Sequence, residues 1–196
     1  RPGQILYTYL HLAPNPKLTN LLLERKVKAV AYETITDVDG NLPCLRPMSQ
    51  IAGKLSIQEG AKYLEKRFGG RGLLLGGVPG VKHGKIVILG GGIAGINAAK
   101  AAVGIGADVT LLDINLTRLG YIDDIFGSHV ETLYSSEANI CDSLREAAST
   151  QRDYIAGEVS KDLTKRILLP EKISKAHEEG CSYRRHRYRP GWLLRI

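Results

Sequence analysis

The sequence predicts an α/β fold: part of a doubly wound parallel sheet, preceded by a shorter α/β piece and a long linking helix. Three observations carry this reading. From residue 85 to residue 148, strand-length apolar runs alternate with helix-length segments in β-α-β-α-β-α order, which right-handed crossovers turn into a parallel sheet. The first run, Lys85-Ile86-Val87-Ile88-Leu89, ends in the glycine turn Gly90-Gly91-Gly92-Ile93-Ala94-Gly95. A second run, Val109-Thr110-Leu111-Leu112, stops on Asp113, about twenty residues after the glycines.

Together these features make a Gly-x-Gly-x-x-Gly turn set between a strand and a small-residue helix, the fingerprint of a Rossmann-type dinucleotide site. Gly90 permits the tight turn, Gly92 lets the backbone approach a pyrophosphate, and Gly95 lets the helix pack closely. The helix start offers free N–H groups and a positive dipole end to phosphate. Asp113 is placed to accept hydrogen bonds from a ribose 2′-hydroxyl, which favours NAD over NADP because a 2′-phosphate would be repelled. A lone glycine motif is weak, but here the strand, the helix and the acid agree.

The remaining elements follow in order. Residues 4–10 read as a strand, and residues 15–25 as a helix with Leu18, Leu21 and Leu22 on one face. Residues 27–35 read as a second strand and residues 37–41 as a turn. Over residues 47–67, Met48, Ile51, Ala52, Leu55 and Ala61 recur at helical spacing, with Pro47 near the start, where proline is tolerated. A glycine-rich loop over residues 69–80 leads to the dinucleotide unit. Helices over residues 96–105, 114–126 and 136–148 and a strand over 129–133 complete the alternation.

Composition bounds the function. The 196 residues are 43% hydrophobic and 24% charged, as for a globular domain with part of another, and no apolar run approaches a membrane span. Cys44, Cys141 and Cys181 have no metal or redox spacing and read as reduced thiols of a cytoplasmic protein. The net charge of +7 suggests a nucleic-acid binder until its location is considered. Residues 183–195 hold five arginines and no acid, so the basicity belongs to a tail rather than to a face of the fold.

Several segments in one order resemble the alanine dehydrogenase/NAD(P) transhydrogenase alpha-subunit family, and the dehydrogenase branch in particular. They are Tyr9-Leu10-His11-Leu12-Ala13, Ala31-Tyr32-Glu33-Thr34, Pro47-Met48-Ser49, Leu75-Gly76-Gly77-Val78-Pro79-Gly80-Val81 and the glycine turn itself. Leu112-Asp113-Ile114-Asn115 and Leu133-Tyr134-Ser135 continue the match, which covers residues 1 to about 148. The resemblance implies NAD-dependent oxidative deamination of L-alanine to pyruvate and ammonium, in a cytoplasmic homo-oligomer that the family suggests is a hexamer, with neither nucleic acid nor membrane as partner. It implies that residues 1–46 end the first part of a substrate domain, and that residues 47–180 form the linking helix and an incomplete NAD domain. It also implies that an arginine and a lysine that hold the substrate carboxylate lie upstream of this chain, so the chain as written is expected to lack turnover.

By the same resemblance His11 stands beside the substrate carbonyl or imine, donating a hydrogen bond and acting in acid–base chemistry. Without the surrounding motif it would read as a strand-end histidine with a structural partner. Met48 and Ser49 match positions near the nicotinamide and its diphosphate, Arg118 a basic position beside the adenosine ribose, and Ser135 a serine near the adenine. Their plain readings are a helix start, a solvated charge and turn chemistry. Ile93 and Ala94 contribute main-chain contacts. His83, His129 and His177 read as surface residues, and no metal site is expected.

In the family, a strand after the third helix region reads approximately A-V-I-V-D-I-A-I-D-Q-G-G-C, and its second Asp acts in catalysis. One permitted codon string for residues 181–193, read with its first nucleotide dropped, translates to that strand. Residues 181–196 are therefore read as an out-of-frame tail, with Arg189 where the catalytic Asp codon stood. Alternatives are the NAD-binding subunit of a nicotinamide nucleotide transhydrogenase, a non-catalytic remnant and, on the tail alone, a nucleic-acid-binding module with Tyr183, Tyr188 and Trp192 to stack.

Overall fold

In the computed structural model, residues 1–149, 154–158 and 167–168 are the described part of the chain. The chain divides into two compact units, Arg1–Ser49 and Gln50–Ile196. The proposed tail over residues 181–196 lies outside the described residues.

In the first unit, β1 (Ile5–Thr8) pairs in parallel with β2 (Lys28–Ala31), in a register that sets Thr8 opposite Ala31. Helix α1 (Pro16–Glu24) connects them. The Asn15 side chain caps it by accepting from the Leu18 N–H, and Pro16 takes the first-turn position where its missing N–H costs nothing. The strand expected over residues 27–35 stops at Ala31, and Tyr32–Thr34 turn into a 3-10 helix. The turn over residues 37–41 is built on Asp37, whose Oδ1 accepts the Asp39 and Asn41 N–H groups at 3.0 and 2.7 Å.

The second unit holds the main sheet. Its strands are β3 (Lys85–Leu89), β4 (Asp108–Asp113), β5 (Val130–Tyr134), β6 (Tyr154–Glu158) and β7 (Ile167–Leu168), in spatial order β5-β4-β3-β6-β7. The first four pair in parallel, and β7 runs antiparallel to β6. All of β3 is buried, as a central parallel strand should be. Its alternation sends Ile86 and Ile88 to one face and Val87 and Leu89 to the other.

On the first face Ile86, Ile88, Val109 and Leu111 meet α2 (Arg46–Tyr63), α3 (Ile93–Ile105) and α4 (Leu116–Phe126) through Ile57, Ile96, Ala99, Leu119 and Ile122. On the second face Val87, Leu89 and Leu112 meet α5 (Glu137–Ser149) through Ile140 and Ala147. Helices on both faces make the sheet doubly wound, as expected. Lys85, buried at the start of β3, pairs with Glu146 at 2.8 Å, so its charge is met by a carboxylate of α5.

Two further details differ from the sequence reading. The buried face of α2 is Ala52, Gly53, Ile57 and Gly60, whereas Ile51 and Leu55 are exposed. Glycine wins the inner position because a Cβ at Gly53 would overlap the Ala94 carbonyl oxygen, so only a bare backbone lets α2 approach α3. Strands β6 and β7 occupy a stretch to which hydrophobic patterning assigns no element. Cys44 is a free, exposed thiol, and Cys181 lies outside the described residues. No helix among the described residues is long and apolar enough to cross a membrane.

Two glycines of α3 should respond oppositely to alanine. A Cβ at Gly95 would collide with the Gly90 carbonyl oxygen, whereas one at Gly104 meets nothing within 4 Å. Gly95→Ala is expected to lower stability by about 1–3 kcal/mol through overpacking. Gly104→Ala should raise it by about 0.5–1 kcal/mol by removing a flexible residue from a helix. Denaturant unfolding checks both signs.

Candidate functional site

The glycine turn lies where the strand order reverses. Chain order runs outward from β3 through β4 to β5, then returns to place β6 on the other side of β3. Ligands of open α/β sheets bind in the crevice at the carboxyl ends of the strands flanking such a reversal. Gly90, immediately after β3, has φ +100° and donates its N–H to the Leu112 carbonyl at 2.7 Å. Gly92 is the N-cap of α3 and provides no side-chain cap, so the first-turn N–H groups around Ile93 and Ala94 have no internal acceptor. A Cβ on Gly90 or Gly92 would meet nothing within 4 Å, whereas Gly95 sits directly against the Gly90 carbonyl. The turn is open toward the crevice and closed toward the helix.

Asp113 ends β4 beside this turn. Its Oδ2 accepts the Gly91 N–H at 2.5 Å and its Oδ1 accepts the Asn115 N–H at 2.8 Å. Each carboxylate oxygen has a further lone pair for an incoming hydroxyl. The Ser135 N–H donates to the Asp113 carbonyl at 2.9 Å, which brings Ser135 to the same rim. Arg118 stands exposed in the first turn of α4, where the Asn115 side chain accepts its N–H at 3.0 Å. Its Cγ comes within 3.1 Å of where a Cβ on Gly91 would lie, so the arginine stem covers that glycine. The structure thus gathers Gly90, Gly92, Ile93, Ala94, Gly95, Asp113, Arg118 and Ser135 around one strand end. An open N–H cradle beside an acceptor carboxylate fits a nucleotide with its phosphates on the helix start.

His11 and Ser49 belong to the first unit. Ser49 is partly buried in the first turn of α2 and donates its N–H to the Leu45 carbonyl at 3.0 Å. His11 follows β1 in the left-handed region, with φ +48°. Its Nδ1 lies 3.0 Å from the Tyr9 hydroxyl, and the two rings stack with centroids 5.6 Å apart. The His11 and Leu10 N–H groups both donate to Glu33 Oε1, at 2.8 and 3.1 Å. Glu33 is buried, and its Oε2 has no hydrogen bond among the described residues. Burial pushes its carboxyl up, but N–H bonds from His11, Glu33 itself and Leu10, with the His11 ring charge, outweigh burial and hold it below its ordinary value. Glu33 carries no motif of its own beyond Ala31-Tyr32-Glu33-Thr34; a lone acid within the run read as a strand over residues 27–35 was the available signal. No cluster of metal-ligating side chains occurs among the described residues.

Two family models match the chain: "Alanine dehydrogenase/PNT, N-terminal domain" over residues 1–52 and "Alanine dehydrogenase/PNT, C-terminal domain" over residues 56–150. An alanine dehydrogenase of Methanococcus maripaludis is 59% identical over 147 residues, which are 75% of this chain and 39% of the relative. One from Geobacillus stearothermophilus is 50% identical over 180 residues, 92% of this chain and 47% of the relative. This chain therefore spans less than half the length of these relatives. Among solved structures, an L-alanine dehydrogenase superposes with a TM-score of 0.67 at 55% identity, over 75% of this chain and 41% of that one. A transhydrogenase from Sinorhizobium meliloti shares the fold, with a TM-score of 0.57 at 16% identity over 72% of this chain and 41% of that one.

The lowered Glu33 pKa has a defined sign in stability. The carboxylate contribution is fully present above the ordinary value of 4.5 and is lost as pH falls through the lower folded value. Glu33→Gln should therefore flatten the acid limb of the stability curve, its deficit against wild type shrinking below pH 4.5. Denaturant titrations at stepped pH measure that difference; a deficit that stays constant into acid would contradict the assignment.

Proposed function

This chain belongs to the alanine dehydrogenase/PNT family, and we propose that it is part of an NAD-dependent alanine dehydrogenase, which converts L-alanine to pyruvate and ammonium. The observation that carries the reading is the open glycine turn at the strand-order reversal, with Asp113 fixed beside it. NAD, when bound, supplies the hydride acceptor; the protein supplies position and electrostatics. In this reading residues 1–46 close the first part of the substrate domain, and residues 47–180 hold the linking helix and the NAD domain. A homo-oligomeric, cytoplasmic enzyme is part of the same proposal, on the family resemblance.

The geometry of the turn and the family resemblance together support a role for each residue. The N–H groups of Ile93 and Ala94 hold the pyrophosphate at the start of α3, where the helix dipole favours negative charge. Asp113 accepts from the adenosine ribose with the lone pairs that Gly91 and Asn115 leave open. By the family resemblance, Arg118 is assigned to the ribose, Ser135 to the adenine and Ser49 to the diphosphate. His11 donates a hydrogen bond to the substrate carbonyl or imine and exchanges a proton there. The transhydrogenase reading has less support, because that likeness is one of fold at 16% identity.

Cofactor choice is the accessible test. Nicotinamide fluorescence titrations of the chain should show NADH bound more tightly than NADPH, since Asp113 opposes a 2′-phosphate. Asp113→Ala should weaken NADH by about 1–3 kcal/mol, the cost of losing hydrogen bonds to a charged acceptor. Gly92→Val should weaken it further, because its side chain fills the space open beside the turn. Equal affinities for the two cofactors would sink the assignment. For the reaction, the 147-residue segment of this chain that matches the Methanococcus maripaludis relative can replace its counterpart there. NADH formation from L-alanine is expected, and His11→Ala should abolish it.

A further inference from the structure

We propose that Glu33 is the positioning residue for His11: it sets the imidazole by gripping the backbone on which that ring is carried. The inference rests on the reading of His11 as the proton-exchanging group and adds the residue through which its position is fixed.

Sheet register produces the contact. Parallel pairing sets Thr8 opposite Ala31, and two residues further along each chain come Leu10 and Glu33. Both strands have ended by then, so the Leu10 and His11 N–H groups have no ladder carbonyl to receive them. A buried N–H left without an acceptor is costly, and Leu10 is buried. The 3-10 helix Tyr32–Thr34 turns Glu33 inward, and one oxygen, Oε1, takes both N–H groups at 3.1 and 2.8 Å. Two charge-assisted bonds to consecutive amides fix the peptide planes on either side of Leu10, the second of which leads into His11.

The Leu10–His11 plane matters because His11 has φ +48°, a region that a residue with a Cβ enters only when its surroundings insist. In this conformation the imidazole stacks on the Tyr9 ring, with the planes 12° apart. Tyr9 meets the ring at Nδ1 and Glu33 holds the main chain, so the imidazole is fixed at both ends. A group that must meet a reacting atom within a fraction of an ångström needs this kind of support.

The test compares the full chain with Glu33→Gln and Glu33→Ala by NMR. Amide exchange is read at Leu10 and His11, and ring-to-ring nuclear Overhauser effects between Tyr9 and His11. Glutamine keeps an oxygen acceptor at the same reach, so it should retain the ring contacts and hold exchange of both amides within about threefold of wild type. Alanine should lose the ring contacts and speed both exchanges by about tenfold or more, the loss of one ordinary hydrogen bond. Amides of β3 and β4 report in each sample that the rest of the chain is folded. Retained ring contacts and protection in Glu33→Ala would overturn the proposal, as would a glutamine variant as disturbed as alanine. If alanine unfolds the first unit, the glutamine result decides alone. No alanine is turned over in these measurements, so a failed dehydrogenase reaction and a failed positioning role give separate results.

Discussion

Everything at the crevice depends on one close approach, that of the α3 backbone at Gly95 to the Gly90 carbonyl oxygen. It leaves no room for a Cβ and so fixes where α3 begins relative to the end of β3. With that distance fixed, the uncapped first turn of α3 opens at the strand end. Asp113, one strand over, reaches back to the Gly91 N–H. The glycines therefore do different work: Gly95 is closed off by contact, while Gly90 and Gly92 border open space. A dinucleotide needs both, a rigid frame behind the turn and bare backbone in front of it.

The first unit solves a related problem by other means. There the backbone is turned by a non-glycine residue, His11, in a left-handed conformation. Glycine would adopt it at little cost but would bring no imidazole. The conformation is held instead by a buried carboxylate whose own ionisation is favoured by the amides it binds. Burying a charge is expensive unless its hydrogen bonds are made, so Glu33 and the Leu10–His11 peptide support each other.

Legibility in the sequence followed the physics of each element. The β3–α3–β4 unit was readable because a fully buried strand must be continuously apolar, and because the glycine turn and Asp113 stand at fixed offsets. The Asn15 cap and the Asp37 turn were readable for the same reason, being local chemistry. Tertiary preferences were not. The exposed Ile51 and Leu55 looked like the inner face of α2, because a hydrophobic pattern cannot show that Gly53 is needed for close approach to Ala94. Residues 32–34 continued an extended pattern, and only the parallel register with β1 shows why the chain turns there to deliver Glu33. Patterning did not mark β6, although its backbone pairs with β3 along five residues. Of the candidate site, the residues around the glycine turn were visible as a motif, whereas the support beneath His11 emerged from the register.

The most direct measurement of the central claim is an amide NMR titration of the chain with NAD. If the start of α3 is the phosphate cradle, the largest shifts fall on the amides of Gly92, Ile93, Ala94 and Gly95, with smaller ones at Gly91 and Ser135 around Asp113. Saturation that leaves those amides unmoved, or that moves residues away from the β3 and β4 strand ends, would contradict it.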